Sequence, residues 1–322
     1  MQAVVFERAG PAEQVLTLRD MPDPDVKSGE VIVKVLARCI QPADLMFIAG
    51  RYRTQPRFPQ IAGFDGAGVV TVVGEGVEGL VPGQRVAFRS PGAWAEFAAI
   101  PAARIRPVPA DLTAILPDEV VCQFTLNPPT AWGLLDMARP AQGARILATA
   151  GRSTVVRILA ALARRRSLEL QRLAREYGGY VLLHAERNEA VSRGATVAET
   201  LEGQADFDVV LDAVGGPTTI DLIAAAAPGG RLISYGVLDD RPFEFRAAIV
   251  LYRNLLWQGF GIEAWTAGTS PKVFAAAMAE CWSLLASEPE LLPVAVRFGL
   301  KDFQLALEAQ RQVSLVGKVV LI

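Results

Sequence analysis

The sequence predicts an α/β protein in which a β-rich domain is interrupted by a doubly wound parallel-sheet domain. Three observations carry this. The first hundred residues break into short strand-like runs separated by Gly, Pro and Asp. From Pro117 to about Ile262, buried-type strands alternate with segments of helical period. The last sixty residues then mix helix and strand and end on the apolar run KVVLI. The expected division is residues 1–116, 117–262 and 263–322, with the third stretch completing the first. At 322 residues the chain is long enough for two hydrophobic cores.

In the first stretch, residues 3–6, 30–37, 66–73, 85–88 and 94–100 are apolar or β-branched runs bounded by turn residues, and read as strands. In the second, the strands are 145–150, 168–175, 209–214, 231–237 and 256–262. In the third, a helix over 270–287 is followed by a strand near 294–298, a helix over 301–311 and a closing strand over 318–322. There is no internal repeat and no low-complexity tract.

Composition excludes several functions. Thirty-two basic against 34 acidic side chains leave a net charge of −2, without the basic surplus that phosphate backbones require. With 51% hydrophobic residues the chain is too apolar for a disordered protein. No apolar run reaches the roughly 18 residues that span a bilayer. The start, MQAVVFERAG, lacks the basic end and long apolar stretch of a signal peptide, so the expectation is a soluble cytoplasmic protein. Cys39, Cys122 and Cys281 lie far apart in sequence, which gives no disulfide framework and no CxxC pair. His184 is the sole histidine, so neither a zinc ligand set nor a Ser-His-Asp triad has its parts in a recognisable pattern. Any chemistry is expected to run on a cofactor, with no metal.

The stretch ARILATAGRSTVVRILAALARR reads as strand, tight turn and helix. Gly151 permits the turn, and Ser153 or Thr154 can cap the helix, whose first amides form a natural pyrophosphate site. Only one of the three glycines of a full dinucleotide fingerprint is kept, and Val156 stands where a small residue would let helix and strand approach. An ordinary strand–helix turn is the alternative reading. Cofactor choice is written about twenty residues on, at the end of the second strand. If that strand is 168–175, Arg172 and Arg175 sit near the ribose and favour NADPH; if it is 180–185, Glu186 takes the acidic position and favours NADH. Spacing from Gly151 prefers the first, with 180–194 as the following helix. The expected cofactor is therefore NADPH, with NADH as the alternative and a solvated basic face as the non-binding reading of the arginines.

These residues together resemble the medium-chain dehydrogenase/reductase superfamily over essentially the whole chain. The resemblance is carried by QAVVFERAGPAEQVLTL, PDPDVKSGEVIVKVLARCIQPADL, FPQIAGFDGAGVVTVVGEGVEGLVPGQRV, the turn at Gly151, LDAVGG, GGRLISYG and the terminal GKVVLI. It implies a GroES-like β-rich catalytic domain, completed by the C-terminal tail, around a Rossmann domain. Zinc-dependent members carry a Gly-His-Glu segment where this chain has GFDGAG, so Phe64 takes the histidine's place, and no cysteine falls between Cys39 and Cys122 to build their four-cysteine lobe. The zinc-free branch of quinone reductases and enoyl thioester reductases is similar in both respects.

Within that branch, QFTLNPPTAWGLL and IAGRYRTQPRFPQIAGFDG look like the enoyl thioester reductases. The resemblance implies that Tyr52 is the proton donor and that Thr130 meets the nicotinamide. Gly151, Arg152, Ser153 and Thr154 would face the pyrophosphate. Tyr235, Gly236, Phe260 and Ile262 would line the cofactor, with Lys318 approaching it from the tail. The candidate substrate pocket is Gln41, Phe64, Trp132, Gly261 and Trp265. Gln41 replaces an asparagine common before Pro42, and Gly261 replaces a tryptophan of the family's GFW segment, which reshapes the expected pocket. The plainer readings are an exposed loop tyrosine at Tyr52, a helix cap at Thr130, a surface lysine at Lys318 and core roles for the tryptophans.

The expected function is NADPH-dependent reduction of an activated C=C bond, most specifically in a 2-enoyl thioester. The alternatives are an NADPH:quinone reductase and a non-catalytic cofactor-sensing or scaffold relative. A homodimer pairing through the edge strand around Leu255–Ile262 is also expected, from the habit of relatives.

Overall fold

The computed structural model describes residues 1–312 and 316–322. Residues Met1–Leu126 and Trp282–Ile322 form one compact unit, and Asn127–Cys281 form the second.

The first unit opens with β1 (Gln2–Phe6), β2 (Thr17–Asp20), β3 (Glu30–Cys39), β4 (Gln60–Ile61), β5 (Asp65–Val73), β6 (Arg85–Arg89), β7 (Phe97–Pro101) and β8 (Ile105–Pro107). β3 is rich in β-branched residues and mostly buried, and both β5 and β7 pair with it antiparallel. In the β5–β6 pairing Asp65 lies directly opposite Arg89. Phe6, Val33, Phe47, Phe88, Trp94 and Ile100 fill the core, each with almost no exposed surface.

The second unit is one seven-stranded sheet of β9 (Arg145–Ala148), β10 (Glu169–Glu176), β11 (Gly179–His184), β12 (Ala190–Gly194), β13 (Phe207–Asp212), β14 (Ala226–Ser234) and β15 (Leu256–Gly259). Their order is β12-β11-β10-β9-β13-β14-β15. The five strands from β10 to β15 in this order run parallel, as the Rossmann arrangement requires. The crossover helix Thr154–Arg165 turns Val156, Ile158, Leu159 and Leu162 inward and places Arg164 and Arg165 in its last turn, where cations suit the helix dipole.

One expected element is wrong. Residues 180–194 form a hairpin, not a helix: β11 pairs antiparallel with both β10 and β12. The consecutive apolar residues Val181, Leu182 and Leu183 are all buried, which suits a strand covered on both faces better than one helix stripe. The glycines before it fix the geometry. Gly178 takes φ +81°, and a Cβ on Gly179 would stand 2.2 Å from the carbonyl oxygen of Gly194. Asn188 closes the hairpin in the left-handed region at φ +54°.

The helix Pro271–Ser287 carries the chain back to the first unit. There β16 (Val294–Phe298) runs parallel to β17 (Lys318–Leu321), and β17 adds to β3. Among the described residues, no helix is long and apolar enough to cross a membrane.

Candidate active site

In the second unit, the ends of β9, β13 and β14 lie at one edge of the sheet. Thr149 and Ala150 follow β9, with Ala150 in the left-handed region at φ +51° where a glycine would be the easier residue. Gly151 follows; its amide donates to the carbonyl of Leu173 at 2.8 Å. A Cβ there would stand 2.9 Å from both the Leu173 oxygen and the Arg172 Cβ, so the single retained glycine is the one whose position presses the turn against β10. Ser153 is the helix cap, its hydroxyl accepting from the amide of Val156 at 3.3 Å. Val156 is wholly buried.

Asp212, at the end of β13, organises the adjoining loop. Its buried carboxylate accepts from the Thr149 hydroxyl at 2.8 Å, from the amides of Val214 and Gly215 at 2.9 and 3.2 Å, and from the Thr219 hydroxyl at 3.2 Å. Tyr235, after β14, donates its amide to the Asp212 carbonyl at 2.8 Å. Burial and the Asp212 charge push its phenol well above the usual tyrosine range, and among the described residues its hydroxyl oxygen has no partner. Gly236 is held against Ala213, whose carbonyl oxygen a Cβ would approach to 2.5 Å.

β10, not β11, is the parallel neighbour of β9, which puts Arg172 and Arg175 on the second strand beside the turn. Arg172 donates to the Asn188 side chain at 2.6 Å and reaches the Gly151 carbonyl at 3.5 Å, while its Nε is buried without a partner. Burial first, and then the charges of Arg157 and Arg152, draw Arg172 below the usual arginine range. Arg152 and Arg193 share Glu176, each at 3.2 Å, and Arg175 lies 5.9 Å from the centre of the Tyr180 ring. Glu186 sits exposed in the turn of the hairpin.

The residues fit a dinucleotide. A capped helix start offers amides to a pyrophosphate, clustered arginines offer donors to a further phosphate, and two buried polar atoms, Arg172 Nε and Tyr235 Oη, lack the partner that buried groups ordinarily have.

The remaining second-unit candidates are tightly packed. Thr130 is buried inside the helix Asn127–Ala138 rather than capping it. One turn on, Gly133 lies beneath Phe260 and Trp265, where a Cβ would meet either ring at 2.9 Å. Phe260 continues the pairing of β15 by donating its amide to Ser234 at 2.8 Å, and Gly261 then caps the short helix that begins at Ile262. Trp132 donates to Glu280 at 2.6 Å under the Arg166 guanidinium, and Trp265 donates to Asp136 at 2.9 Å, so both indoles have structural partners.

In the first unit, the expected pocket residues surround a buried charged cluster that the sequence did not reveal. Gln41 caps the helix Pro42–Ile48, and its side chain donates to Cys39 Sγ at 3.3 Å. Asp44, fully buried, accepts from the amides of Gln41 at 2.7 Å and Phe64 at 3.0 Å. Burial, with the Asp65 charge nearby, pushes it up to about 7. Asp65 accepts from the Thr125 hydroxyl at 2.8 Å and is ion-paired with Arg89. Arg89 also donates to the Tyr52 hydroxyl at 3.4 Å, and its guanidinium lies 4.9 Å from the centre of the Phe64 ring. Phe64 in turn packs against Phe47 and Tyr52 at 4.7 and 5.4 Å. Lys318, at the start of β17, is drawn below the usual lysine range by burial and held partly back by the acids Asp65 and Asp44. Cys39 and Cys122, distant in sequence, meet here as free thiols.

Zinc does not fit this place. Both Asp44 oxygens serve backbone amides, Asp65 serves Arg89 and Thr125, and Phe64 has no donor atom. Among the described residues no three His, Cys, Asp or Glu side chains group in a way that could hold a metal ion.

Two family descriptions match: an alcohol dehydrogenase GroES-like domain at residues 27–110 and a zinc-binding dehydrogenase domain at residues 185–321, together more than half of the chain. The chain is 27% identical to the mitochondrial enoyl-acyl-carrier-protein reductase of Bos taurus over 334 aligned positions, covering 100% of this chain and 88% of that one. The human protein of the same name is 26% identical with the same coverage. Among solved structures, the quinone oxidoreductase of Escherichia coli complexed with NADPH superposes with a TM-score of 0.83 at 22% identity, covering 100% of both chains. A mycobacterial protein complexed with NADPH gives 0.81 at 25%, again over 100% of both. The sequence motifs, the two-unit architecture with its parallel sheet and these matches agree: the chain belongs to the medium-chain dehydrogenase/reductase superfamily.

Proposed function

We propose that this chain is an NADPH-dependent reductase of activated C=C bonds, acting on 2-enoyl thioesters without zinc. The observation that carries the reading is Tyr52: a half-buried phenol whose oxygen accepts from Arg89 and whose own proton has no acceptor among the described residues. Likeness to the named reductases over the whole chain supports it. Arg152, Arg172 and Arg175 with the turn from Gly151 to Thr154 would hold the phosphates, and Thr130, Tyr235, Gly236, Phe260, Ile262 and Lys318 are the further cofactor residues of this reading. When bound, NADPH supplies the hydride that the β carbon of the substrate needs. The electron pair of the double bond then moves toward the carbonyl, and Tyr52 gives its proton to the α carbon as that C–H bond forms. The phenolate left behind recovers a proton from solvent.

The partner is thus a small molecule, and no nucleic acid or membrane surface is called for. β15 is the free edge of its sheet, with Leu251, Tyr252 and Leu256 exposed beside it, and we propose that two copies pair there as a homodimer.

Rates with NADPH on a 2-enoyl-CoA and on a quinone, for the natural chain and Tyr52→Phe, test the reading. The expected outcome is thioester reduction that falls about 100-fold or more in the variant, with quinone turnover unchanged. Quinone turnover alone would favour the quinone reductase reading. Binding of NADPH with no turnover of either would favour a cofactor-sensing relative.

A further inference from the structure

Tyr52 stands on a loop after the helix Pro42–Ile48, yet its hydroxyl is engaged from inside the unit by a residue of β6. Arg89 has one nitrogen on Asp65 and another on the Tyr52 oxygen, and its flat face covers Phe64, which itself packs on the Tyr52 ring. Asp65 has no exposed surface and is fixed from its other oxygen by Thr125. The guanidinium is therefore aimed by a buried carboxylate, a hydroxyl and an aromatic face at once. A guanidinium has donors only, so the Tyr52 oxygen can meet it only as acceptor, and the phenolic proton must point elsewhere.

We infer that Arg89 is the positioning residue for Tyr52: it orients the phenol with its proton outward and holds the charge that the oxygen acquires when that proton leaves. This inference rests on the reading of Tyr52 as proton donor. The arrangement needs a planar fork. A lysine at the same place keeps a cation for Asp65 but cannot serve the carboxylate and the phenol from two fixed nitrogens. The other acid near the guanidinium, Asp44, is left intact by that exchange.

The test is a double-mutant cycle with Arg89→Lys, Tyr52→Phe and the two combined, using a 2-enoyl-CoA and NADPH. Arg89→Lys is expected to lower kcat on the order of tenfold to 100-fold, with KM and the NADPH dissociation constant changed less than twofold. In the Tyr52→Phe background the same exchange is expected to cost nothing further, because the group it positions is gone. Wild-type kcat in Arg89→Lys, or an equal loss in both backgrounds, overturns the inference. If the natural chain reduces no enoyl thioester, the reading of Tyr52 fails first and takes this inference with it, and that result is distinct because it precedes any variant. Should Arg89→Lys not fold, Thr125→Val, which removes the hydroxyl that holds Asp65 and the Phe88 carbonyl, is judged by the same two criteria.

Discussion

The two units handle charge in opposite ways. The first buries it: Asp44, Asp65 and Arg89 lie within or against the core, and Arg38 is almost wholly covered, its Nη2 donating to the carbonyls of Val35 and Ala95. The second keeps its basic groups at the rim, where Arg152, Arg175 and Arg193 are exposed and only Asp212 is sealed inside, with four donors around it. Charge inside a core is tied to folding, because ionisation there carries a desolvation cost; charge at a rim is nearly free of the fold and available to a ligand. The first unit should therefore answer to pH through stability, and the second to mutation through affinity.

The largest effect should come from Asp44. Its ordinary value is 3.8, and burial raises it to about 7 in the folded chain. Between those values the folded chain keeps a proton that the unfolded chain has released. The stability linked to this group is fully present below about 3.8 and lost as pH rises toward 7. Asp44→Asn removes the titration. From pH 4.5 to 8, urea unfolding should show the natural chain losing roughly 2–4 kcal/mol more than the variant. Asp65, also raised by burial, stays in both chains, so the difference reports Asp44 together with its repulsion from Asp65. Parallel slopes would mean that Asp44 does not set the pH dependence of folding.

The rim is probed by Arg172→Gln. Arg172 is half-buried and carries a guanidinium nitrogen without a partner, so a phosphate is the group it can still receive. NADPH affinity, followed by nicotinamide fluorescence, should fall about tenfold, NADH affinity should not change, and stability should move by less than about 0.5 kcal/mol. Equal losses for the two dinucleotides would show that Arg172 supports the turn rather than reads the phosphate.

How much of this was legible follows the same division. The strands of both units announce themselves as β-branched runs, and the turn at Gly151 follows from strand, glycine and capping residue. The hairpin over β11 and β12 reads equally as a helix because Val181-Leu182-Leu183 suits a covered strand as well as a buried helix face; the Gly178-Gly179 pair just before it is the deciding punctuation. The charged cluster was hidden for a different reason. Asp65 is a single charge in the otherwise apolar FDGAGVV, and Arg89 closes the short strand RVAFR that Arg85 opens; a lone acid in a buried-type strand is the available hint. Their partnership depends on the register of β5 against β6, which tertiary structure sets.

The smallest effect asks whether the helix start in the second unit is architecture or ligand. Ser153 spends its hydroxyl on the amide of Val156. Ser153→Ala loses both the hydroxyl and the backbone ease of a cap and should cost about 1 kcal/mol, whereas Ser153→Gly loses the same hydroxyl for only a few tenths. If the hydroxyl only shapes the turn, NADPH affinity must follow stability, with alanine worse than glycine and neither loss above about fivefold. That is the expected result if the amides of the helix start and the neighbouring arginines carry the phosphate, since the hydroxyl accepts from Val156 while its own proton stays free to donate. Equal and larger losses in both variants would instead make Ser153 a direct phosphate contact, and the contrast between a structural interior and a ligand-facing rim would then run through this one side chain.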